Sequence, residues 1–529
     1  MLSLPFLTAF FLGLLTCSTR ADLISDLRDN DFEVLTSADP AYINVTTPFN
    51  RRFSYQPVAV TFPRSPKEVS TIMKISTHHN VSFTAQSGGH SYIANGLGGK
   101  DGAVVIDLRL LNTVSVDPST KIATIGPGIR LGDLALLLNE HGRAMPHGLC
   151  PYVGMGGHSG HGGYGHTSRQ WGLTLDVIQS LEVVLANGEI VTASLSSHPD
   201  LFWALRGASS SFGIVTSMKA KTFAVPPSVT NMEYIWDMSI DEATAAIMDW
   251  QSYTLSPSTP AEIGLYLVVR KGSARGRVSI EFMGGYFGPH SNFDRVINPL
   301  LKNYPQPQSK NATAMSYIDA VVEFGEMGTV NTTLIPEPSN TFYVKSLMTP
   351  SDAPMSRRAV AEFVKFCATA GFDSTMIWLV EIEQYGGATS MINKVPLDST
   401  SFGRRDALFT IQFLGAPGNN SPPFPDEDFS LLDGMASSIV NNMPSGWDYG
   451  AYVNYIDDRL PNCEYFVTLH FSLSSLYFNL GVELMSSCFW LRIGQHRYYG
   501  QHYRRLQALK SIYDPKNLFN FPLSVMGKA

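Results

Sequence analysis

The sequence predicts an α+β protein of two domains, on three observations. Its 529 residues exceed what one hydrophobic core usually supports. Up to residue 225, short strand and helix patterns interleave. From 226 to 450, long strands alternate with helical stretches, which suits an antiparallel sheet backed by helices. Pro226–Pro227 marks the boundary between the two regimes.

The elements follow in order. Q-P-V-A-V-T-F-P-R-S-P-K-E-V-S-T-I at 56–72 reads as a strand, a turn and a helix that starts near Ser65, with Pro66 at its first position. V-S-F-T-A-Q at 81–86, G-A-V-V-I-D-L and K-I-A-T-I-G-P-G are strands. L-G-D-L-A-L-L-L-N-E-H-G has helical periodicity and ends on Gly142. L-E-V-V-L-A-N-G-E-I-V-T-A is a hairpin turned by Asn187-Gly188. Beyond Pro227, I-G-L-Y-L-V-V-R, R-V-S-I-E-F-M-G-G-Y-F, M-I-W-L-V-E-I-E and A-L-F-T-I-Q-F-L are long strands. Tyr498–Lys510 is expected to be helical.

Two glycine-rich loops carry the chemistry. In the stretch from Arg143 to Asp176, glycines recur at 148, 154, 156, 157, 160, 162, 163 and 165. That pattern lets backbone approach a ligand closely, and it argues against a packed helix or strand there. Cys150 stands at its entrance, and Q-S-G-G-H-S-Y upstream offers His90. An imidazole and a thiol on two such loops suggest a large anionic cofactor, cradled by backbone N–H groups and tethered covalently.

Composition sets the surroundings. Residues 3–15 are an apolar run, followed by T-C-S-T-R-A with Thr19 and Ala21 at small-residue positions, so 1–21 reads as a secretory signal. Asn44, Asn80, Asn311, Asn331 and Asn419 begin N-x-[ST] sequons that agree with a secreted glycoprotein. Loss of Arg20 with the signal takes the formal net charge from −7 to about −8, so no basic patch for nucleic acid is implied. Cys150, Cys367, Cys463 and Cys488 would remain, without disulfide-framework spacing. The apolar stretch 463–496 fits no element. Its charged residues and serines make it a poor membrane span, and it is expected to be an insertion from an incorrect gene model.

At these motifs the chain resembles the FAD-linked oxidases of the berberine bridge enzyme type, within the vanillyl-alcohol-oxidase superfamily. The matching segments are S-G-G-H-S-Y at 87–92, G-L-C-P-Y-V-G-M-G-G-H at 148–158, G-G-Y-G at 162–165, W-G-L-T-L-D at 171–176, S-F-G-I-V-T at 211–216, Y-V-N-Y-I-D-D at 452–458 and Y-D-P-K-N-L-F at 513–519. The resemblance implies a two-domain PCMH-type fold. Residues 22–225 would be the FAD-binding domain and 226–450 the substrate domain, with 451–529 returning to the FAD domain. The glycine loop is similar to that of fungal oligosaccharide oxidases, which implies oxidation of a substrate C–OH with O2 as acceptor and H2O2 as product. The alternatives are a tailoring oxidoreductase of fungal secondary metabolism and, in a different class, a non-catalytic carbohydrate-binding protein. A monomer that spans no membrane after signal removal is expected.

The resemblance also assigns roles. His90 and Cys150 would each bond the flavin, making FAD bicovalent. Ser87, Gly88, Gly89, Ser91, Gly154, Gly156, Gly157, His158, Gly162, Gly163, Gly165, Gly213, Ile214 and Val215 would line the cofactor, and Val153 would be the gate that admits O2. Tyr455 is the expected base, assisted by Glu383. Tyr452 is the second candidate, and strand alternation would turn it away from Tyr455. Residue type alone leaves blander readings open: a turn histidine at 90, a core valine at 153 and a solvated strand face for Glu381 and Glu383. His158, His161 and His166 lack the ordered third and fourth ligands of a zinc site, so no metal is expected. No strand runs into G-x-G-x-x-G, which argues against a nicotinamide site.

Overall fold

The computed structural model describes residues 22–325, 327–335, 339–460 and 493–528. The expected signal at 1–21, the expected insertion apart from 493–496, and Cys463 and Cys488 lie outside the described residues.

The N-terminal region holds two sheets. Strands Ala59–Thr61, Val104–Asp107 and Phe83–Gln86 pair in parallel, with Val34–Leu35 antiparallel at one edge. Val104–Asp107 is buried at every position, as a strand covered on both faces must be. Helix Pro66–His78 connects two of these strands. The Ser65 side chain caps it by accepting the Glu68 N–H, and Pro66 occupies the first turn. Five antiparallel strands form the second sheet, including the hairpin Ile178–Val184 to Ile190–Ser194. Gly188 takes φ 79° at that turn, a conformation that favours glycine.

Seven antiparallel strands between Val229 and Ala416 make the third sheet. Its period-two pattern sorts the faces. Met232, Tyr234, Trp236 and Met238 point into one core with Trp250, Phe282, Phe363 and Phe409, under helices Ile240–Leu255, Arg357–Phe366 and Phe429–Val440. The opposite face carries Glu233, Tyr266, Glu381, Glu383 and Gln412, and it looks toward the glycine loop.

Two buried cations join the regions. Arg169 is 0% exposed and donates to the carbonyls of Pro260 (2.9 Å), Ile263 (2.6 Å) and Gly386 (3.2 Å) and to Thr389 Oγ1 (3.1 Å). Arg405 binds Asp176 through two hydrogen bonds of 2.8 and 2.6 Å. A buried pair of this kind is costly to break from one side, because the surviving charge has no water. At the C-terminus, Leu506 and Leu509 share a core with Phe202 and Leu205, and Lys510 donates to Ser211 O at 2.8 Å.

Three local expectations are overturned. The glycine loop does contain helix: Met155–Gly160 is helical, with Met155, His158, Ser159 and Gly160 buried. The absence of side chains is what lets it pack, since a Cβ on Gly160 would stand 2.5 Å from Ser209 Cβ. The C-terminal helix is broken, with Ile493–Tyr499 and Tyr503–Tyr513 separated at Gly500, where φ is 55°. That break lies against Gly403, whose Cβ would meet Tyr499 O at 2.2 Å. Tyr452 and Tyr455 are not on a strand, as described below. Among the described residues, no helix is long and apolar enough to cross a membrane.

Candidate active site

A cavity of about 490 Å³ lies where the glycine loops, the open face of the seven-stranded sheet and the 452–456 turn converge. Ser87, Gly88, Gly89, His90, Ser91, Cys150, Val153, Gly154, Gly156, Gly157, His158, Gly165, Gly213, Ile214, Val215, Glu383, Tyr452 and Tyr455 all line it. Gly162 and Gly163 do not. They back the Tyr452 ring instead, with a Cβ on Gly162 falling 2.8 Å from its hydroxyl oxygen and the Gly163 N–H donating to that oxygen at 2.9 Å.

The loops cross at two glycines. A Cβ on Gly88 would sit 2.4 Å from Gly154 N, and one on Gly154 would sit 2.0 Å from Gly88 N. Ser87 fastens the crossing by donating to Pro127 O (2.5 Å) and accepting the Gly156 N–H (3.3 Å). On the cavity side of Gly157 nothing lies within 4 Å of a built Cβ, so bare backbone faces open space. Across this cradle Cys150 Sγ is 3.4 Å from His90 Nε2. The His90 ring stacks on Phe49, centroids 3.6 Å apart. Burial, reinforced by the Arg130 charge, holds its pKa down at about 3, so the imidazole is neutral and nucleophilic at neutral pH. A long glycine-walled cavity with an imidazole and a thiol at one point fits a flavin nucleotide.

His158 has a structural task. Its Nε2 accepts the Gly148 N–H at 3.0 Å, and burial lowers its pKa to about 3. His161 Nδ1 lies 3.0 Å from Gly157 O. Among the described residues no group of three or more His, Cys, Asp or Glu side chains is arranged for a metal.

The other wall carries the polar groups. Tyr455 N–H donates to Tyr452 O at 2.9 Å, closing a turn that puts both rings at the cavity, centroids 4.9 Å apart. A strand would have separated them. Their hydroxyls differ in occupation. Tyr452 Oη accepts from Gly163 N–H, from Tyr164 N–H at 3.2 Å and from Asn454 Nδ2 at 3.1 Å. Tyr455 Oη donates to Glu383 Oε1 at 2.6 Å. Burial raises the Glu383 pKa well above the usual carboxyl range, and the Glu381 charge adds to the rise. Burial likewise pushes the Tyr455 hydroxyl up, with the Glu383 charge second. Glu383 Oε2 is buried without a hydrogen-bond partner.

Several residues had gone unread in the sequence. Tyr92 stacks on Tyr455 at 5.9 Å and its hydroxyl accepts from Gln412 Nε2 at 3.0 Å. Gln412 pairs with Glu381 across the sheet. Strand alternation was the signal: Thr410 and Gln412 stand opposite Phe409, Ile411 and Phe413. Arg169, inside the glycine-loop motif, had no local cue at all.

Comparison with known proteins agrees with this geometry. A family described as FAD binding domain matches residues 57–194, and one described as Berberine and berberine like matches 451–526. The xylooligosaccharide oxidase of Thermothelomyces thermophilus is 35% identical over 90% of this chain and 89% of its own. An FAD-linked oxidoreductase of Metarhizium anisopliae is 32% identical over 96% of this chain and 91% of its own. A solved structure of the glucooligosaccharide oxidase of Acremonium strictum, described as carrying 6-S-cysteinyl, 8α-N1-histidyl FAD, superposes with a TM-score of 0.84 at 28% identity, covering 96% of this chain and 99% of that one. The cavity, the crossed glycine loops and these similarities have one reading: the chain belongs to the berberine bridge enzyme-like family of FAD-dependent oxidoreductases, with the PCMH-type fold.

Proposed function

We propose that the protein is a secreted oligosaccharide oxidase that converts a reducing-end C–OH to the lactone. Residues 22–225 and 451–529 would hold FAD, and 226–450 would present the sugar. His90 and Cys150 would tether the cofactor, the neutral imidazole and the thiol being 3.4 Å apart. Bound FAD supplies the two-electron acceptor that takes hydride from carbon and returns both electrons to O2 as H2O2. The carrying observation is the Tyr455–Glu383 hydrogen bond of 2.6 Å in the cavity that those two residues also line.

The proton work falls to that pair. Tyr455, with its pKa raised, does not form phenolate by itself in this setting. It passes its proton to Glu383 Oε1 as it accepts one from the substrate hydroxyl. A carboxylate whose pKa burial has raised is a stronger proton acceptor than a solvated one. Tyr452 is committed to the Gly163 and Tyr164 N–H groups and orients the loop.

The test is H2O2 release over a panel of oligosaccharides, polyketide alcohols and alkaloid alcohols. Lactone and H2O2 in equal amounts from reducing sugars supports the reading. Turnover of the other alcohols alone would replace it with the tailoring reaction. The signal at 1–21, the glycan sites and the monomeric state belong to the same reading, and mass spectrometry and sedimentation of the exported protein check them.

A further inference from the structure

Strand Tyr343–Pro350 ends the seven-stranded sheet on one side, and the segment that carries Tyr452 and Tyr455 docks on its free edge. Docking begins as a ladder. Met348 N–H donates to Gly450 O at 2.8 Å, and Gly450 N–H donates to Met348 O at 2.9 Å. The next hydrogen-bonded pair of an antiparallel ladder would set Ser346 against Tyr452. At that point a side chain takes over. Tyr452 N–H donates to Ser346 Oγ at 2.9 Å, and the same hydroxyl donates to Tyr455 O at 3.4 Å. One serine thus holds the main chain at both ends of the turn that Tyr455 N–H closes on Tyr452 O.

A second hold comes from the strand's other face. Side chains alternate along a strand, so Ser346 shares the cavity face with Gln412 and Glu381, which stand in register with it. Tyr343 and Lys345 point the opposite way, toward helix Phe429–Val440. There Lys345 Nζ donates to Asp457 Oδ2 at 2.8 Å and lies 3.0 Å from Asp433 Oδ1, while Tyr343 Oη donates to Asp457 Oδ1 at 3.0 Å. The turn is therefore clasped to one strand from both faces. Strand Ile377–Gln384, which carries Glu383, lies two strands away in the same sheet, so the sheet itself sets the Tyr455–Glu383 distance of 2.6 Å.

We propose that Ser346 and Lys345 are positioning residues of the oxidation: they hold the 452–457 segment where Tyr455 meets Glu383. This rests on the reading of Tyr455 and Glu383 as the proton pair. Neither Ser346 nor Lys345 lines the cavity, so both act through the tyrosine and not on the substrate. The pair has little slack, because a contact stretched by about 1 Å is no longer a hydrogen bond. Misplacement on that scale costs a reaction about 10²-fold.

The experiment follows flavin reduction of the holoenzyme by a reducing oligosaccharide in Ser346→Ala, in Lys345→Met, and in each combined with Tyr455→Phe. Ser346→Ala removes one oxygen and no charge, so its result decides. Lys345→Met also leaves Asp433 and Asp457 without their shared cation, and should melt lower for that reason. In either variant, reduction at saturating sugar should slow by about 10–100-fold, with the half-saturating sugar concentration and the flavin spectrum unchanged. In the Tyr455→Phe background neither change should cost anything more, because the group they place is gone. Native reduction in Ser346→Ala, or an equal loss with and without the Tyr455 hydroxyl, overturns the positioning role while the proton pair stands. Near-native reduction in Tyr455→Phe alone overturns the proton pair, and the positioning role falls with it.

Discussion

Tyr455 Oη lies 2.6 Å from Glu383 Oε1, and this hydrogen bond links the 452–456 turn to the strand Ile377–Gln384. Its neighbours are aromatic. Tyr92 stacks on one side of Tyr455, and Tyr452 meets it edge to face. Both residues of the pair, proposed above to move the substrate proton, line the cavity.

Replacing Tyr455 by Phe keeps the ring and removes the hydroxyl. Flavin reduction by substrate is expected to fall about 10²–10⁴-fold, the usual worth of a general base, with the cofactor retained. Tyr452→Phe should behave differently. It strands the buried Gly163 and Tyr164 N–H groups, a cost of about 1–3 kcal/mol in stability. Stopped-flow reduction and thermal melting of the two variants separate the roles. Near-normal reduction in Tyr455→Phe would move the base elsewhere.

Glu383 gives a pH signature in two observables. Reduction should slow as pH falls through its raised pKa, because the protonated carboxyl cannot accept from Tyr455. Glu383→Gln should lose rate, less than Tyr455→Phe does, and shift its remaining activity to higher pH, where the tyrosine gives its proton to solvent. Stability runs the other way. Folding raises this pKa, so the folded state holds the proton more tightly than the unfolded chain does. The stabilisation is whole below the unfolded carboxyl value, about pH 4, and is lost as pH rises through the folded pKa. Glu383→Gln should therefore melt above the native protein at neutral pH, with the gap closing as pH falls toward about 4. A gap that does not change with pH would mean Glu383 is not the titrating group.

These pH arguments depend on placements that sequence patterns reveal only in part. Strand periodicity exposed four of the seven strands of the large sheet, because a half-buried strand must alternate, and Glu381 and Glu383 stood out on the face that avoids the core. The glycine spacing pointed to close backbone approach to a ligand, whereas the crossing of the two loops, where only glycine fits at Gly88 and Gly154, came from the structure alone. Y-V-N-Y misled, because aromatic and β-branched residues dominate there as in a strand. What bends it into a turn is remote: Asp457 is held by Lys345 at 2.8 Å and by Tyr343 at 3.0 Å, more than a hundred residues upstream. Arg169 was illegible for the same reason, as its partners are carbonyls, which leave no mark on side-chain pattern.

Val153 lines the cavity three residues after Cys150 and is partly buried against the N-terminal core. Its carbonyl is fixed by the Leu131 N–H at 2.9 Å, so a larger side chain cannot back away with the main chain. Val153→Leu should thus narrow the cavity locally. Reoxidation by O2 is expected to slow by tenfold or more, while reduction by sugar changes little; separate stopped-flow half-reactions measure both. Equal slowing of the two would leave Val153 as packing only.

The tethers give the last test. The two proposed links, from different loops, predict redundancy: denatured His90→Ala or Cys150→Ala protein should still carry flavin after acid precipitation, and only the double variant should release it. The two singles should not be equivalent in the folded state. His90 stacks on Phe49 at 3.6 Å, so its loss removes a ring from the wall, whereas Cys150, also half-buried, loses only its thiol. His90→Ala should accordingly melt lower, by an amount of about 1–3 kcal/mol in stability, and reduce its flavin more slowly because the ring system is less firmly held. Each covalent link also withdraws freedom from the cofactor, so the double variant should bind FAD reversibly and lose it on dialysis. Complete release of flavin from either single variant on denaturation would leave one tether and remove the other residue from the cofactor site.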